Sequence, residues 1–259
     1  MKFTTLAVLL IVGVVGFPMC ADAGITLGRA GDFAVLAGST VTNTGPTVID
    51  GGDVGVSPGS AITGFPPGDM VPPFTLHSAD AVAVGAQEDL VTAYNVAAGL
   101  AVTANLTDQD LGGMTLVPGV YFFSTSAQLT GTLTMDALGD PAAEFVFQSG
   151  STLTTASDSS VVTINGGEVS GCHTFWQVGS SAILGTGTTF EGHILALTSI
   201  TMGTGATIIN GSALARNGAV TLDDNRINNC IPEPASMALI LLGGGMLVTR
   251  ARGKRSRGL

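Results

Sequence analysis

The sequence has few basic residues, and this shortage excludes one broad class of function. Between residues 24 and 231 the basic side chains are Arg29, Arg216 and Arg226, with no lysine. The same region holds 17 acidic residues, all of those in the chain except Asp22 and Glu233, so its net charge is −14. A surface this acidic repels phosphate backbones. We therefore expect no binding to nucleic acid.

Catalytic and metal-binding patterns are also lacking. The three histidines are far apart in the sequence and form no paired metal motif. A polysaccharide hydrolase needs two carboxylates across a cleft, and a turn explains the adjacent pair Asp223 and Asp224 equally well. A polysaccharide lyase would need more basic groups than this region has. Asp108 and Asp110 resemble the start of a calcium loop but lack its later ligands. We expect no catalytic residue, metal site or cofactor.

Of the three cysteines, two lie between residues 24 and 231, namely Cys172 and Cys230. In an exported protein an isolated pair most simply forms a disulfide. A zinc site or a nucleophilic thiol would need partner residues that the sequence does not place nearby. We therefore predict a Cys172–Cys230 disulfide that ties together the last part of the domain.

Residues 1–23 have the pattern of a signal peptide. A short apolar run over residues 6–17 is followed by Ala21 and Ala23, an A-x-A pattern that predicts cleavage before Gly24. Cys20 leaves lipid modification open as an alternative. The protein is therefore expected to be exported, with one domain over residues 24–231.

The C-terminal segment, residues 232–257, resembles the PEP-CTERM sorting signal. Pro232-Glu233-Pro234 precedes an apolar run over residues 235–248, and a basic cluster follows from Arg250 to Arg257. The resemblance implies transient membrane anchoring and removal of the tail by an exosortase. It also implies a location at the cell surface or in the extracellular matrix of a Gram-negative bacterium. A plain single-span anchor is the alternative.

Short β-prone runs separated by glycine recur through the domain and repeat at a near-regular interval. Residues 181–190 align with 199–208 at an offset of 18, and 199–202 align with 219–222 at an offset of 20. Coils of this length predict a β-helix. The inward positions would then stack in two columns: Leu184, Met202 and Leu222 in one, and Phe190 and Ile208 in the other.

An alanine-rich segment over residues 78–104 interrupts this pattern. Its apolar residues recur at steps of three and four, and Ser78 is a suitable N-cap. We predict one long amphipathic helix packed along the solenoid, where it covers a side or edge that would otherwise be open. The proline-rich residues 65–73 would connect it to an N-terminal β cap or coil formed by residues 24–64.

Four tracts together resemble the secreted ice-binding and ice-binding-like proteins. They are GDVGVSPG (52–59), LVPGVY (116–121), FVFQ (145–148) and the region 172–222, which is the most specific. The resemblance covers nearly all of the domain. It implies a mainly β fold, a discontinuous right-handed β-helix of triangular section with one long α-helix alongside, which agrees with the repeat analysis.

The resemblance implies adsorption to an ice crystal surface through a flat, threonine-rich face that carries a loose Thr-(Ala/Gly)-x-(Thr/Asn) motif. Three segments match its beginning and end, at 44–47, 186–189 and 204–207. The candidate ice-binding residues are Thr44, Thr47, Thr186, Thr189, Thr204 and Thr207. Two alternatives stay open: Gly-x-Thr is also ordinary corner chemistry in a solenoid, and the fold could serve a structural or adhesive component that binds extracellular polysaccharide.

Overall fold

The computed structural model describes residues 24–166 and 170–230. The predicted signal peptide and the predicted sorting signal lie outside the described residues. Within the described part, every strand is short and parallel to its neighbours, and the strands form three sheets, here called A, B and C. No helix in this part is long and apolar enough to cross a membrane.

Sheet A has nine strands, in the spatial order β7 (Leu76–Ser78), β4 (Asp53–Val56), β1 (Phe33–Ala37), β22 (Ala213–Ala215), β19 (His193–Ala196), β16 (Thr174–Val178), β13 (Phe145–Ser149), β10 (Gly119–Phe123) and β8 (Ala104–Asn105). Sheet B has seven strands, in the order β5 (Ala61–Thr63), β2 (Thr40–Thr44), β23 (Val220–Asp223), β20 (Ile200–Met202), β17 (Ala182–Leu184), β14 (Leu153–Thr155) and β11 (Ala127–Leu129). Sheet C has eight strands, in the order β6 (Asp69–Met70), β3 (Val48–Asp50), β24 (Arg226–Asn228), β21 (Thr207–Ile209), β18 (Thr189–Glu191), β15 (Ser160–Ile164), β12 (Thr132–Asp136) and β9 (Thr115–Leu116).

The stack of coils is discontinuous along the chain. The chain winds through β1–β7, leaves along the helix α1 (Ala81–Gly99), and resumes with β8 at the other end of sheet A. It then winds back until β22, β23 and β24 pair in parallel with β1, β2 and β3. Residues 24–64 therefore do form β coils, but they stack against the last coil of the chain. The prediction of a discontinuous solenoid is confirmed.

The two predicted inward columns are present. Leu184 pairs with Met202, Phe190 pairs with Ile208, and all four side chains are buried. Leu222 continues the first column because its neighbour Thr221 pairs with Thr201. Strand alternation explains why the repeat could predict this core, since residues at the same point of successive coils face the same side.

An aromatic stack fills the core inside sheet A. Tyr121, Phe147 and Trp176 are in register on three neighbouring strands. The rings of Phe147 and Trp176 are nearly parallel, with centroids 3.8 Å apart, and Phe190 from sheet C packs against the indole at 4.9 Å. Trp176 also donates a hydrogen bond from Nε1 to the backbone oxygen of Glu191, 3.0 Å away. The stack therefore joins sheets A and C across the core.

Helix α1 is shorter than predicted at both ends. Its N-cap is Asp80, whose side chain accepts a hydrogen bond from the backbone nitrogen of Ala83, so the prediction of Ser78 as cap was wrong. Ser78 instead ends strand β7, and Ala79 has a positive φ of 49° that separates strand from helix. At the other end Leu100 is already extended. The helix is therefore capped by Asp80, two residues after Ser78, and both residue types are common N-caps.

The helix covers the outer face of sheet A. Its buried face and the outward residues of the sheet form a second core cluster, which includes Leu36, Ala86, Leu90, Ala93, Tyr94, Ala97, Val146, Phe175, Leu195 and Leu214. Arg29 binds Asp89 on the helix, with its Nε 2.8 Å from Oδ2. A Cβ at Gly85 would lie 2.1 Å from the Arg29 Nη1, so this glycine makes room for the guanidinium. The predicted role of the helix as a cover is confirmed.

The predicted disulfide is present. Cys172 and Cys230 are bonded, with Cα atoms 5.8 Å apart. Cys172 belongs to a short 3-10 helix (Ser170–His173) that directly precedes β16, and Cys230 is the last described residue. The bond therefore fastens the end of the domain to the wall of the solenoid.

A buried histidine makes stability depend on pH. His193 is buried, its Nδ1 lies 2.8 Å from Ser212 Oγ, and its ring stacks on Phe175. Burial lowers the pKa of its imidazole from 6.5 to about 4. Between these two pH values the unfolded chain binds a proton that the folded chain excludes. The free energy of unfolding is therefore not reduced by His193 above pH 6.5, and it decreases as the pH falls from 6.5 towards 4.

We expect the free energy of unfolding to fall between pH 7 and pH 5, by up to about 1.4 kcal/mol per pH unit from this group. Urea denaturation at several pH values measures this fall. A His193→Gln variant is the control and should show a flatter profile over the same range. Equal slopes for the two proteins would refute the assignment to His193.

Candidate functional site

The outer face of sheet B carries a straight row of side chains, here called the central file. In spatial order it consists of Thr63, Thr42, Thr221, Thr201, Ile183, Thr154 and Gln128. Five members are the middle residue of a strand, Thr221 is the second residue of the four-residue β23, and Thr63 ends β5. By strand alternation the members point outward and the strand residues next to them point inward. Five of the seven positions are threonine, although the chain reaches them from two regions of sequence separated by the helix.

A second row runs beside the first, two residues earlier in each coil, and is here called the flanking file. It consists of Ala61, Thr40, Ala219, Ser199, Ser181, Thr152 and Ser126. Some members are linked by hydrogen bonds between coils: the Oγ atoms of Ser126 and Thr152 are 2.7 Å apart, and the Ser199 Oγ accepts from the backbone nitrogen of Ala219. Every residue in this file is small.

The two files form a regular, uncharged and rigid surface. Neighbouring strands of a sheet lie about 4.7–4.9 Å apart, so hydroxyl and methyl groups repeat at that interval along the stack. The Oγ1 atoms of Thr42 and Thr221, 179 residues apart in sequence, are 3.5 Å apart. The residues beside the file are buried in the core, for example Ile200 and Met202 beside Thr201. Threonine has a restricted χ1, so these side chains lose little entropy on contact.

Sheet C presents a different outer face. Its corresponding row consists of Asp69, Val48, Arg226, Thr207, Thr189, Ser160 and Thr132. Arg226 is well exposed and its Nη2 lies 3.9 Å from Asp50 Oδ2, so charge interrupts the row in the middle. Because the helix covers sheet A, sheet B is the open face whose two files carry no charged side chain; the one charged residue in its described strands, Asp223, ends β23 beside Thr44, next to the corner with sheet C.

The predicted threonine motif proves to be the corner between sheets B and C. Gly45, Gly187 and Gly205, the second residue of each motif, have φ values of 78°, 68° and 70°. This left-handed conformation favours glycine and turns the chain from one sheet to the next. The corner interpretation, left open by the sequence, therefore accounts for the spacing of the motif.

The six predicted residues do not share a face. Thr44 is exposed at the end of β2, and Thr186 and Thr204 are exposed in the corner, where the Thr204 hydroxyl donates to Asp223 Oδ2. Thr189 and Thr207 pair with each other on sheet C. Thr47 is fully buried and its Oγ1 accepts a hydrogen bond from the backbone nitrogen of Asn225, so it reaches no surface.

The residues of the central file were present in the repeats but were not recognised. In the alignment of 199–202 with 219–222, Thr201 lies over Thr221, and each directly precedes a residue predicted to point inward, Met202 and Leu222. Strand alternation alone would have placed both outward. Thr42 and Thr63 could not be joined to them from the sequence, because their pairing requires the discontinuous stacking of the coils.

A groove of about 650 Å³ lies at the edge where the chain passes from sheet C to sheet A. Its lining includes Leu100, Val120, Asp140, Glu144, His173 and Phe175. Glu144 is already engaged, since its Oε1 accepts a hydrogen bond from the backbone nitrogen of Ile25 at 3.2 Å. Among residues 24–166 and 170–230, no group of three or more His, Cys, Asp or Glu side chains could hold a metal ion.

The chain is similar to several characterised proteins over most of its length. The family model described as ice-binding-like matches residues 35–228. An ice-binding protein of Nostoc sp. (strain HG1) is 56% identical over 231 residues, which covers 85% of this chain and 83% of that protein. The crystal structure of an ice-binding protein from an Antarctic biological consortium superposes with a TM-score of 0.74 at 45% identity, over 87% of this chain and 96% of the other. That of an ice-binding protein from the Antarctic ascomycete Antarctomyces psychrotrophicus gives a TM-score of 0.75 at 41% identity, over 80% and 98%. The parallel solenoid, its covering helix and these similarities agree: the chain belongs to the ice-binding-like family.

Proposed function

We propose that this protein is a non-catalytic ice-binding protein that adsorbs to ice crystals through the outer face of sheet B. The observation that supports this most strongly is the central file, in which threonines from both halves of the chain form one uncharged row. The high identity to a relative named as an ice-binding protein supports the same function.

Adsorption to ice requires a protein surface whose side chains are already ordered in the arrangement that contacts the crystal. Ice offers no pocket, so any disorder in the protein face costs entropy that the contact must offset. On sheet B the backbone is held by the parallel ladders and the side chains are short. The methyl groups limit the freedom of nearby water, and the hydroxyl groups can hydrogen-bond to it. A layer of ordered water over the two files can then join the growing crystal and slow its growth.

We further propose that the protein acts outside the cell. Residues 1–23 would be removed on export, and the segment 232–257 would serve as a PEP-CTERM signal that anchors the chain transiently in the membrane until an exosortase cleaves it. The single disulfide is consistent with an oxidising compartment. The product would act at the cell surface or in the extracellular matrix of a Gram-negative bacterium.

A pair of matched double variants tests the ice-binding face. Thr201→Tyr/Thr221→Tyr places two bulky rings in the central file, where they hold the protein away from a flat crystal. Thr189→Tyr/Thr207→Tyr introduces the same rings at two directly paired threonines on sheet C. We expect the first variant to need at least about tenfold more protein to inhibit ice recrystallisation, and the second to act like the unmodified protein.

Circular dichroism and thermal unfolding should show that both variants retain the fold, because all four side chains lie outside the core. If the unmodified protein is folded but inert, the proposal fails, and a structural role in the polysaccharide matrix becomes the better account. If the sheet C variant alone loses activity, the binding face has been assigned to the wrong sheet.

A further inference from the structure

The N-terminal segment, residues 24–27, packs on the outer face of sheet A beside the covering helix. Ile25 and Leu27 are buried and belong to the second core cluster, together with outward residues of the sheet. The segment continues through a short 3-10 helix (Gly28–Asp32) into β1, the strand that pairs with β22. The anchoring of this segment therefore bears on the pairing of the first coil with the last coil.

Glu144 contacts the first two residues of this segment. Its Oε1 accepts a hydrogen bond from the backbone nitrogen of Ile25, 3.2 Å away. Its other oxygen, Oε2, lies 3.5 Å from the position that a Cβ would take on Gly24. The Gly24 nitrogen is about 2.5 Å from that position, because both would be bonded to the same Cα. This nitrogen is therefore at most about 6 Å from the carboxylate oxygen, within the range of a strong charge interaction.

The groove around Gly24 offers this carboxylate no basic side chain. Its lining residues include Asp140, Glu144 and His173 but no lysine or arginine. The Asp140 Oδ1 accepts a hydrogen bond from the backbone nitrogen of Ala142 at 2.9 Å, so Asp140 stabilises its own turn. Glu144 is half-buried and reaches across 119 residues of sequence to Ile25. A partly desolvated carboxylate of this kind is stabilised by a nearby positive charge.

Cleavage before Gly24 would place a positive charge at this point. Ala21 and Ala23 form the A-x-A pattern that predicts this peptide bond as the cleavage site. A free α-amino group has a pKa of about 7.7–8.0, so it is mostly charged at neutral pH. In the uncleaved chain the same nitrogen belongs to an uncharged peptide group. Cleavage therefore changes the charge beside Glu144 by one unit.

We propose that Glu144 is the binding site for the α-ammonium group that cleavage before Gly24 creates. The resulting ion pair fastens the N-terminal segment of the exported protein to sheet A. In the precursor this ion pair is missing, so the first coil, which carries Thr40 and Thr42, is held less firmly until cleavage. This inference rests on the proposed removal of residues 1–23 and does not depend on which face binds ice.

The shortage of lysine allows the α-amino group to be modified selectively. Residues 24–231 contain no lysine, and Lys254 is the one lysine after Gly24. Lys254→Arg, made in every preparation, leaves the α-amino group as the single primary amine of the cleaved chain. The chain is produced with its own signal peptide in a Gram-negative host, and the exported protein is purified. Mass spectrometry identifies its first residue, and acetic anhydride then acetylates the α-amino group.

Two measurements follow the ion pair. We expect the exported protein to begin at Gly24 and to be acetylated at pH 7 at least about threefold more slowly than Glu144→Gln, because the carboxylate favours the charged, unreactive form of the amine. Acetylation should lower the melting temperature of the unmodified protein by about 2 °C. It should lower that of Glu144→Gln by clearly less, since the amide keeps an acceptor for Ile25 but has no charge.

Asp224→Asn is the matched control, because it removes an exposed carboxylate at the corner between sheets B and C. This variant should react and unfold like the unmodified protein. A first residue other than Gly24 would overturn the proposal, and so would equal acetylation rates in the unmodified protein and Glu144→Gln. A faster reaction in Asp140→Asn alone would overturn the assignment to Glu144. Absence of recrystallisation inhibition with these results intact would contradict the ice-binding function and leave the ion pair standing.

Discussion

Replacing Trp176 with alanine is expected to lower the free energy of unfolding by about 3–5 kcal/mol, the usual cost of removing a buried aromatic side chain. The indole is almost fully buried between Phe147 and Phe190, where it joins the cores of sheets A and C. Its removal leaves a cavity that the rigid backbone of the coils cannot close. It also leaves the backbone oxygen of Glu191 without the hydrogen bond from Nε1.

Denaturant unfolding of the two proteins, followed by circular dichroism, measures this loss. Trp176→Phe is the matched control, because phenylalanine keeps a ring in the stack and gives up only volume and the hydrogen bond. The phenylalanine variant should lose clearly less stability than the alanine variant. A loss below about 1 kcal/mol for alanine would mean that the stack does not hold the sheets together.

Removing the disulfide by Cys172→Ser/Cys230→Ser is expected to cost about 2–4 kcal/mol of stability without changing the ice activity of the folded protein. The two cysteines are 58 residues apart, so the bond strongly restricts the unfolded chain. The bond joins the chain after β24 of sheet C to the connection between β15 of sheet C and β16 of sheet A, away from sheet B, so the files should remain intact.

Thermal unfolding measures the loss of stability, and recrystallisation inhibition, assayed well below the melting temperature, measures the ice activity of the folded protein. The unmodified protein in a reducing agent serves as a second preparation without the bond and should match the double variant. Loss of activity in a variant that remains folded would show that the disulfide and sheet B are coupled. An unchanged melting temperature would show that the bond adds no stability.

The general fold could be predicted from the sequence because its repeats carry strong local information. Leu184, Met202 and Leu222 recur at the same point of successive coils, so alternation assigns them to the core without any knowledge of the sheets. The disulfide was likewise predictable, since only two cysteines remain in the domain. The helix was predicted, but its start was misplaced because Ser78 and Asp80 are both good capping residues and only the preceding strand decides between them.

The candidate site was harder to predict because it depends on contacts between distant parts of the chain. Thr42 meets Thr221 across 179 residues, and no local pattern indicates that the N-terminal coils stack on the last coil. The Thr-Gly-x-Thr motif repeats because each corner requires a glycine with positive φ, so its repetition marks the corners and not the regular face. Threonines in the middle of strands, which form the regular face, carry no such local mark.

Thr42 provides the sharpest test of sheet B as the ice-binding face, because it joins the central file only through the discontinuous stacking of the coils. Fluorescently labelled protein is frozen slowly into a single ice crystal, and the fraction taken up is measured for the unmodified protein, Thr42→Tyr, Thr221→Tyr and Thr207→Tyr. We expect Thr42→Tyr and Thr221→Tyr to reduce uptake to a similar extent, and Thr207→Tyr to leave it unchanged. Full uptake of Thr42→Tyr together with loss in Thr207→Tyr would contradict sheet B as the ice-binding face.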